Sequence, residues 1–510
     1  MKLTIQIKTN IIFACLSMVV MSAAGQENPY FKIRVVDEET GRGVPMAELK
    51  TVNEIRYYTD SNGIAAFYEP GLMGIDVFFS VTSHGYSYPK DGFGMQGVRL
   101  RPKSGKEAVI RLQRHNLAER LYRITGQGVY RDSLLTGEAA PIENPALNGQ
   151  VAGQDSAVVA PYRGKLYWFW GDTSRPQYPL GNFRVSGATS EFPDQVGLPP
   201  DQGVNLHYFT DSQGFCKSMS PIVKEGLIWI DGLLTLPGES GQERLIAHYA
   251  HMRSLGEMLE HGLVIFDDAR QEFEKLVEFE LDKKWQCPRG HPLRVKDGEK
   301  EYIYFPMPFP TVRVQADLSA IKDQSKYEAF TCLQNGSDYK GENSLLVLEK
   351  GHPLFAWKTG ADPIGPAEEK ELIEAKKIAK EDARFLPKDA DSGHTVVIHA
   401  GSVHWNVYRK KWILIGVEVG GTSYLGEVWC AESGELTGPW KKAKKIVTHE
   451  RYSFYNPVHH PFFDRRNGRM IYFEGTYSTT FSGNPCATPR YDYNQIMYRL
   501  DLERIPMNDE

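Results

Sequence analysis

The chain is short of cysteine, of long apolar runs and of net charge, and each shortage argues against a class of protein. Six cysteines are scattered through 510 residues with no CxxC pair, which argues against a disulfide framework or a cysteine-bound zinc site. Beyond Ile11–Met21 there is no long apolar run, and that one is too short for a stable membrane span. A formal charge of −5 with no basic domain argues against nucleic acid. No Gly-rich phosphate loop opens a helix, so nucleotide binding is disfavoured. His399 to His404 (HAGSVH) is not HExxH, which speaks against a zincin site, and no metal ligands are assigned.

Glycine (47), proline (30) and 12% aromatics point instead to a turn-rich β protein whose loops present rings. Lys2 and Lys8, the apolar run and Ser22-Ala23-Ala24 have the form of a secretory signal over residues 1–25, so the protein is expected in the periplasm or outside the cell. The length favours two domains.

One stretch, GQDSAVVAPYRGKLYWFWGDT from Gly153 to Thr173, provides a template. An apolar strand, an Arg163-Gly164 reversal and an aromatic strand are flanked by Asp155 and Asp172. Similar hairpins with a polar opening recur at 228–248, 289–305, 399–416 and 455–473. Five units of this kind predict five propeller blades over 118–505, closed by pairing Leu121–Val129 with Gln495–Leu500. Pro366–Phe385, with proline first, acids early and lysines later, predicts a charged surface helix of four or five turns.

Residues 28–115 form a separate unit. Strands are expected at Tyr30–Asp37, Pro45–Thr51, Val77–Val81 and Ala108–Leu112, with a hairpin turning on Asn62-Gly63. The pattern VxDxxTGxxVPxAxxxT…TDxNGxAxF resembles the transthyretin-like or carboxypeptidase-regulatory-like β-sandwich, a non-catalytic module. The expected fold is all-β: an N-terminal sandwich, then a five-bladed propeller.

In a propeller the openings of the inner strands converge, so Asp155, Asp231, His291, His404, His459 and His460 are expected around one basin. Strand alternation puts Ser402, His404 and Asn406 opposite His399, and Asn456 and His460 opposite His459. Paired carboxylates suit glycosidic bond hydrolysis. Asp155 is the candidate base, and Asp231 the second carboxylate or the charge that adjusts the others. Glu474, alone in the apolar strand IYFEGTY, is the candidate acid, with Glu257 and Glu260 as alternatives and an ion pair to Arg469 as the competing reading. Asp172 either closes an Asx turn or meets substrate. Trp170, Trp405, Tyr455 and Tyr477 suit stacking on sugar rings, and the histidines and Asn456 suit hydrogen bonds to hydroxyls or a uronate.

The motifs GQDS…KLYWFWGDT and YNPVHHP…IYFEG resemble five-bladed propeller glycoside hydrolases of the arabinanase/xylosidase superfamily, and a domain family linked to endo-arabinanases that shares the aromatic-strand GDT. The resemblance implies a base at Asp155 and a pKa-adjusting Asp231. It also implies a glutamate acid in the third blade, where this chain has RGHP instead. It implies no organic cofactor and leaves a structural calcium open. The expected function is hydrolysis of a polysaccharide or oligosaccharide. A propeller-type lyase using histidine and Tyr477 and a carbohydrate-binding protein without turnover are the alternatives.

Overall fold

The computed structural model describes residues 28–506, apart from Glu239 and Ser423. The proposed export signal lies outside the described residues. No helix among them is long and apolar enough to cross a membrane. The protein is almost entirely β.

The N-terminal unit is two four-stranded sheets over one core. Phe31–Asp37 lies between Ile64–Phe67 and Glu107–Arg114, with Tyr86–Ser87 outermost. Glu48–Thr51 lies between Arg56–Tyr58 and Val77–Thr82, with Gly97–Leu100 at the edge. Alternate residues point inward, and Ile33, Val35, Leu49, Phe67, Phe79 and Leu112 fill the space between the sheets. The Asn62-Gly63 turn differs from expectation. Arg56–Tyr58 pairs with Glu48–Thr51 and Ile64–Phe67 with Phe31–Asp37, so the turn is a corner between sheets and not a hairpin. Asp60 Oδ1 accepts from the Asn62 and Ile64 amides at 3.0 and 3.2 Å, and this side chain folds the corner.

Five larger sheets follow in chain order. Their leading strands are Val158–Tyr162, Leu227–Pro237, Leu293–Asp297, Ile398–Asn406 and Ser453–His459. Each is antiparallel along its hairpin because bulky residues alternate and the turns carry left-handed residues, as at Arg163 (φ 49°)-Gly164 (φ 77°) and Asn467 (φ 54°)-Gly468 (φ 81°).

Apolar faces on both sides of each sheet require a neighbour on each side. Val158 and Phe169 of the first sheet share a core with Ile228 and Phe266 of the second. Leu234 and Leu263 meet Ile303 and Val312 of the third. Phe309 and Phe330 meet Leu414 and Trp429 of the fourth, and Ile413 meets Phe473 and Tyr498 of the fifth. Tyr472 and Met497 of the fifth return to Trp168 and Trp170 of the first. The circuit is closed, and Glu119–Arg123 supplies the outer strand of the fifth sheet by pairing with Asn494–Asp501.

The N-terminal unit seats on this circuit. Met46 enters the core between the fourth and fifth sheets, and Arg120 Nε donates to Pro45 O at 3.0 Å. The charged insert is shorter than expected. Its helix spans only Pro366–Glu374. Glu369, fully enclosed, accepts from the amides of Arg384 and Phe385 at 2.7 and 2.8 Å, so the returning chain is tied to the first helical turn. Cys216, Cys287, Cys332, Cys430 and Cys486 are all free thiols.

Candidate active site

The first hairpin places two carboxylates side by side. Asp155 precedes Val158–Tyr162 and Asp172 follows Lys165–Trp170, and the Gly171 amide donates to Asp155 O at 2.9 Å. A Cβ on Gly171 would lie 2.4 Å from Asp155 Oδ1, so only glycine lets the two segments approach this closely. Tyr455, at the opening of the fifth sheet, donates its hydroxyl to Asp155 Oδ2 at 3.1 Å. Oδ1 of Asp155 and Oδ1 of Asp172 have no hydrogen-bond partner and no contact with solvent. Burial, then the charge of Asp172, raises Asp155 to about 7 against the opposing hydrogen bonds of Tyr455 and Tyr493. Burial raises Asp172 to about 6, opposed by a hydrogen bond from the Trp229 indole.

Non-glycine residues in the left-handed region surround this pair. Ser156 (φ 54°) follows Asp155, and Asn456 (φ 49°) donates Nδ2 to Ser156 Oγ at 2.8 Å. Tyr493 (φ 60°) lies near Asp155 and accepts at its carbonyl from the Gln154 amide at 2.8 Å. The half-exposed Phe481 (φ 66°) packs edge-on to Tyr455 at 5.7 Å. Such conformations cost about 1–3 kcal/mol each and persist where the surroundings enforce them.

Asp231 is held differently. It lies two residues after Trp229 on the leading strand of the second sheet, beside a bulge between Asp231 and Leu234. Its Oδ1 accepts from the Gly290 and Gly232 amides at 2.8 and 2.9 Å. Burial raises its pKa, and the charge of Arg289 opposes the shift. A Cβ on Gly290 (φ 100°) would stand 1.7 Å from Pro306 O, so the RGHP position needs glycine to pack against that strand. The charge that raises Asp155 belongs to Asp172, which departs from the role expected of Asp231.

His291 continues from Gly290 toward the histidines of the fourth and fifth sheets. His404 and His459 meet edge-to-face at 5.2 Å, and the His459 amide donates to Ser402 Oγ at 2.8 Å. His459 Nε2 lies 2.8 Å from Asp464 Oδ1, and His460 Nε2 lies 2.6 Å from Glu474 Oε1. Burial, with the neighbouring imidazoles second, lowers His291 and His460 to about 3 and His404 well below its ordinary value. These rings are neutral at neutral pH. Burial also raises Glu474 to about 8, so its bond to His460 joins a protonated acid to a neutral imidazole. Among the described residues no group of three or more His, Cys, Asp or Glu side chains is arranged to hold a metal ion.

Five expected site residues do not line an open surface, and two of them are His459 and His460, 2% and 1% exposed and bonded to Asp464 and Glu474. Glu474 is 0% exposed, on the strand face shared with Tyr472 and Thr476 that packs on the first sheet, and Arg469 pairs with Asp501 instead. Trp170 stacks on Trp168 at 6.1 Å with no exposed face. Tyr477 stacks on Tyr452 at 4.0 Å and bonds His84 of the N-terminal unit, which encloses it. The expected parity at 456–460 fails because the register slips between Tyr455 and Val458, where Asn456 turns left-handed. Glu257 is paired with Arg253, and Glu260 with Lys275 and Tyr249, away from the pair. Trp405 is exposed and packs on Trp412.

Sequence reasoning missed Trp229, Phe481 and Tyr493, and gave Asp172 no catalytic weight. Trp229 lies on the leading strand of the second sheet, whereas Phe481 and Tyr493 lie outside the strands, where spacing carries no signal.

No family model and no curated protein matches the chain. Among solved structures it is similar to an exo-β-1,3-galactanase from Phanerochaete chrysosporium bound to β-1,3-galactotriose, at 10% identity and a TM-score of 0.37, over 74% of this chain and 63% of that one. It is also similar to an exo-1,5-α-L-arabinanase from a bovine ruminal metagenomic library (10% identity, 69% of this chain and 94% of that one, TM-score 0.34). A third is a GH43 enzyme from Xanthomonas citri complexed with xylotriose (11% identity, 69% and 87%, TM-score 0.33). The chain spans about 63% of the length of the fungal enzyme. These likenesses are too distant to align residues, and the reading of the site rests on its own geometry.

Proposed function

We propose that the closed circuit is a five-bladed β-propeller, preceded by a β-sandwich module, and that the protein is a glycoside hydrolase acting on a polysaccharide or oligosaccharide at Asp155 and Asp172. The observation that carries this reading is the pair itself: adjacent carboxylates with one unpartnered oxygen each, both raised toward neutrality. Coupled acids of this kind share protons as a pair, so near neutral pH one carboxylate is protonated while the other is ionised. The protonated member gives its proton to the glycosidic oxygen as the bond to the anomeric carbon breaks. The ionised member takes a proton from the attacking water, or attacks the carbon itself before water releases the sugar.

Asp231, bonded by two amides and opposed by the charge of Arg289, is a rigidly held carboxylate at the opening of the second sheet. His291 and His404, neutral and not fully enclosed, present hydrogen-bonding groups to sugar hydroxyls or a uronate. The segment 1–25, read as an export signal, would deliver the enzyme to polysaccharide outside the inner membrane.

The test is a panel of plant and algal polysaccharides incubated with purified protein, with Asp155→Asn and His404→Ala beside wild type. Hydrolysis releases reducing sugar without new ultraviolet absorbance and is lost in Asp155→Asn. An absorbing double bond, lost in His404→Ala, would establish a lyase. Retention on affinity gels without either product would establish a binding protein.

A further inference from the structure

We propose that the N-terminal unit is a positioning element for the site, acting through the segment Thr479–Tyr493 that it clamps. This segment carries both Phe481, the exposed ring beside Tyr455, and Tyr493, whose carbonyl accepts from the amide of Gln154, the residue before Asp155, at 2.8 Å. Its anchors cross the boundary between the two units. The Tyr491 hydroxyl donates to Thr59 O at 2.7 Å and accepts from the Met46 amide at 3.1 Å. The Tyr477 hydroxyl, immediately before the segment, meets His84 Nε2 at 3.0 Å and Thr488 Oγ1 at 2.9 Å. Asp492 Oδ1 then draws the two ends of the segment together, accepting from the Thr479 amide at 2.7 Å and from Tyr452 at 2.5 Å.

Every one of these groups is buried or partly buried, so none gains an equivalent water bond when its partner is removed. The left-handed conformations of Phe481 and Tyr493 need this bracing, because a free loop would relax out of them. The N-terminal unit therefore sets the distance at which Tyr493 meets Asp155 and the angle at which Phe481 offers its face to a sugar ring. Tyr491 and His84 are positioning residues in this scheme. They touch neither the acid pair nor the exposed ring.

The inference rests on the reading of Asp155 as a reacting carboxylate, so its test uses readouts that do not need turnover. Tyr491→Phe and His84→Ala each remove one anchor from the full chain. Hydrogen–deuterium exchange across Thr479–Tyr493 is expected to quicken about tenfold, the kinetic counterpart of losing about one buried hydrogen bond. Exchange in the second and third sheets should stay as in wild type. Carboxyl NMR of Asp155 should show its titration midpoint displaced in both variants, and His84→Gln should restore it. Unchanged exchange and an unchanged midpoint in both variants would overturn the proposal. So would uniform acceleration across all five sheets in both, since that marks a merely structural joint. If wild type turns over no glycan while the segment and midpoint still respond, the hydrolase reading fails and the positioning role stands.

Discussion

Two buried acid sites lie along the boundary between the fifth sheet and the first, and they are treated in opposite ways. Asp155 sits beside a second carboxylate, is half-buried and keeps one oxygen without a partner. Glu474 is enclosed completely, with Oε1 bonded to a single imidazole, His460, and Oε2 likewise without a partner. Both are raised by desolvation, and only Asp155 has an adjacent carboxylate and is not fully enclosed. A displaced ionisation therefore marks burial first. Access and an adjacent like charge distinguish a reacting acid from a structural one.

The sharpest way to break the comparison is to neutralise each acid in turn. Asp155→Asn is expected to lower kcat about 10³-fold on whichever glycan the panel identifies, whereas Glu474→Gln should leave it within a few-fold. Equal losses would erase the distinction. Removing the Glu474 side chain tests its structural role. Glu474→Ala leaves His460 unpaired inside the sheet boundary and should cost about 3 kcal/mol in urea unfolding, with Glu474→Gln costing less.

The pH dependence of stability separates the groups by sign. A carboxyl raised in the folded state binds its proton more tightly there than in the unfolded chain, so its contribution is present at low pH and lost as pH rises through the folded value. For Asp155 that loss runs from about 4 to about 7, and for Glu474 from about 4.5 to about 8. His291 and His460, lowered to about 3, act oppositely and favour folding as pH rises from about 3 to about 6.5. Above about 6.5 the acids are left unopposed. The melting temperature should fall between pH 6.5 and 8, and Glu474→Gln should flatten that slope more than Asp155→Asn.

The smallest effect expected is from Tyr455→Phe. It removes the hydroxyl that favours ionised Asp155, the higher-titrating member of the pair, and should move the alkaline limb of the pH–rate profile upward by less than about one unit.

The hairpins were legible because turn residues and period-2 alternation are local properties. The closing seam was expected between Leu121–Val129 and Gln495–Leu500, and the structure makes it with Glu119–Arg123, earlier in the chain, against Asn494–Asp501. Partner choice at Asn62-Gly63 was not legible, because the same turn chemistry serves a hairpin or a corner between sheets. The helix after Pro366 stopped early because of Glu369, whose partners lie fifteen and sixteen residues downstream. Aromatic residues gave mixed guidance. Trp170 and Tyr477 proved to be packing between elements, and Phe481, in a loop with no periodicity, holds the exposed ring. At the site, Asp155 and Asp231 could be picked from strand openings. The partnership of Asp155 with Asp172 depends on Gly171 permitting a close approach that spacing does not encode.

The strand Glu119–Arg123 is made long before its partner. No shorter stretch of the nascent polypeptide can latch the array, which must wait, unsealed, until the residues around Leu500 emerge. Assembly then finishes in one late event, and proteolytic loss of either member of the seam should unfasten all five sheets together.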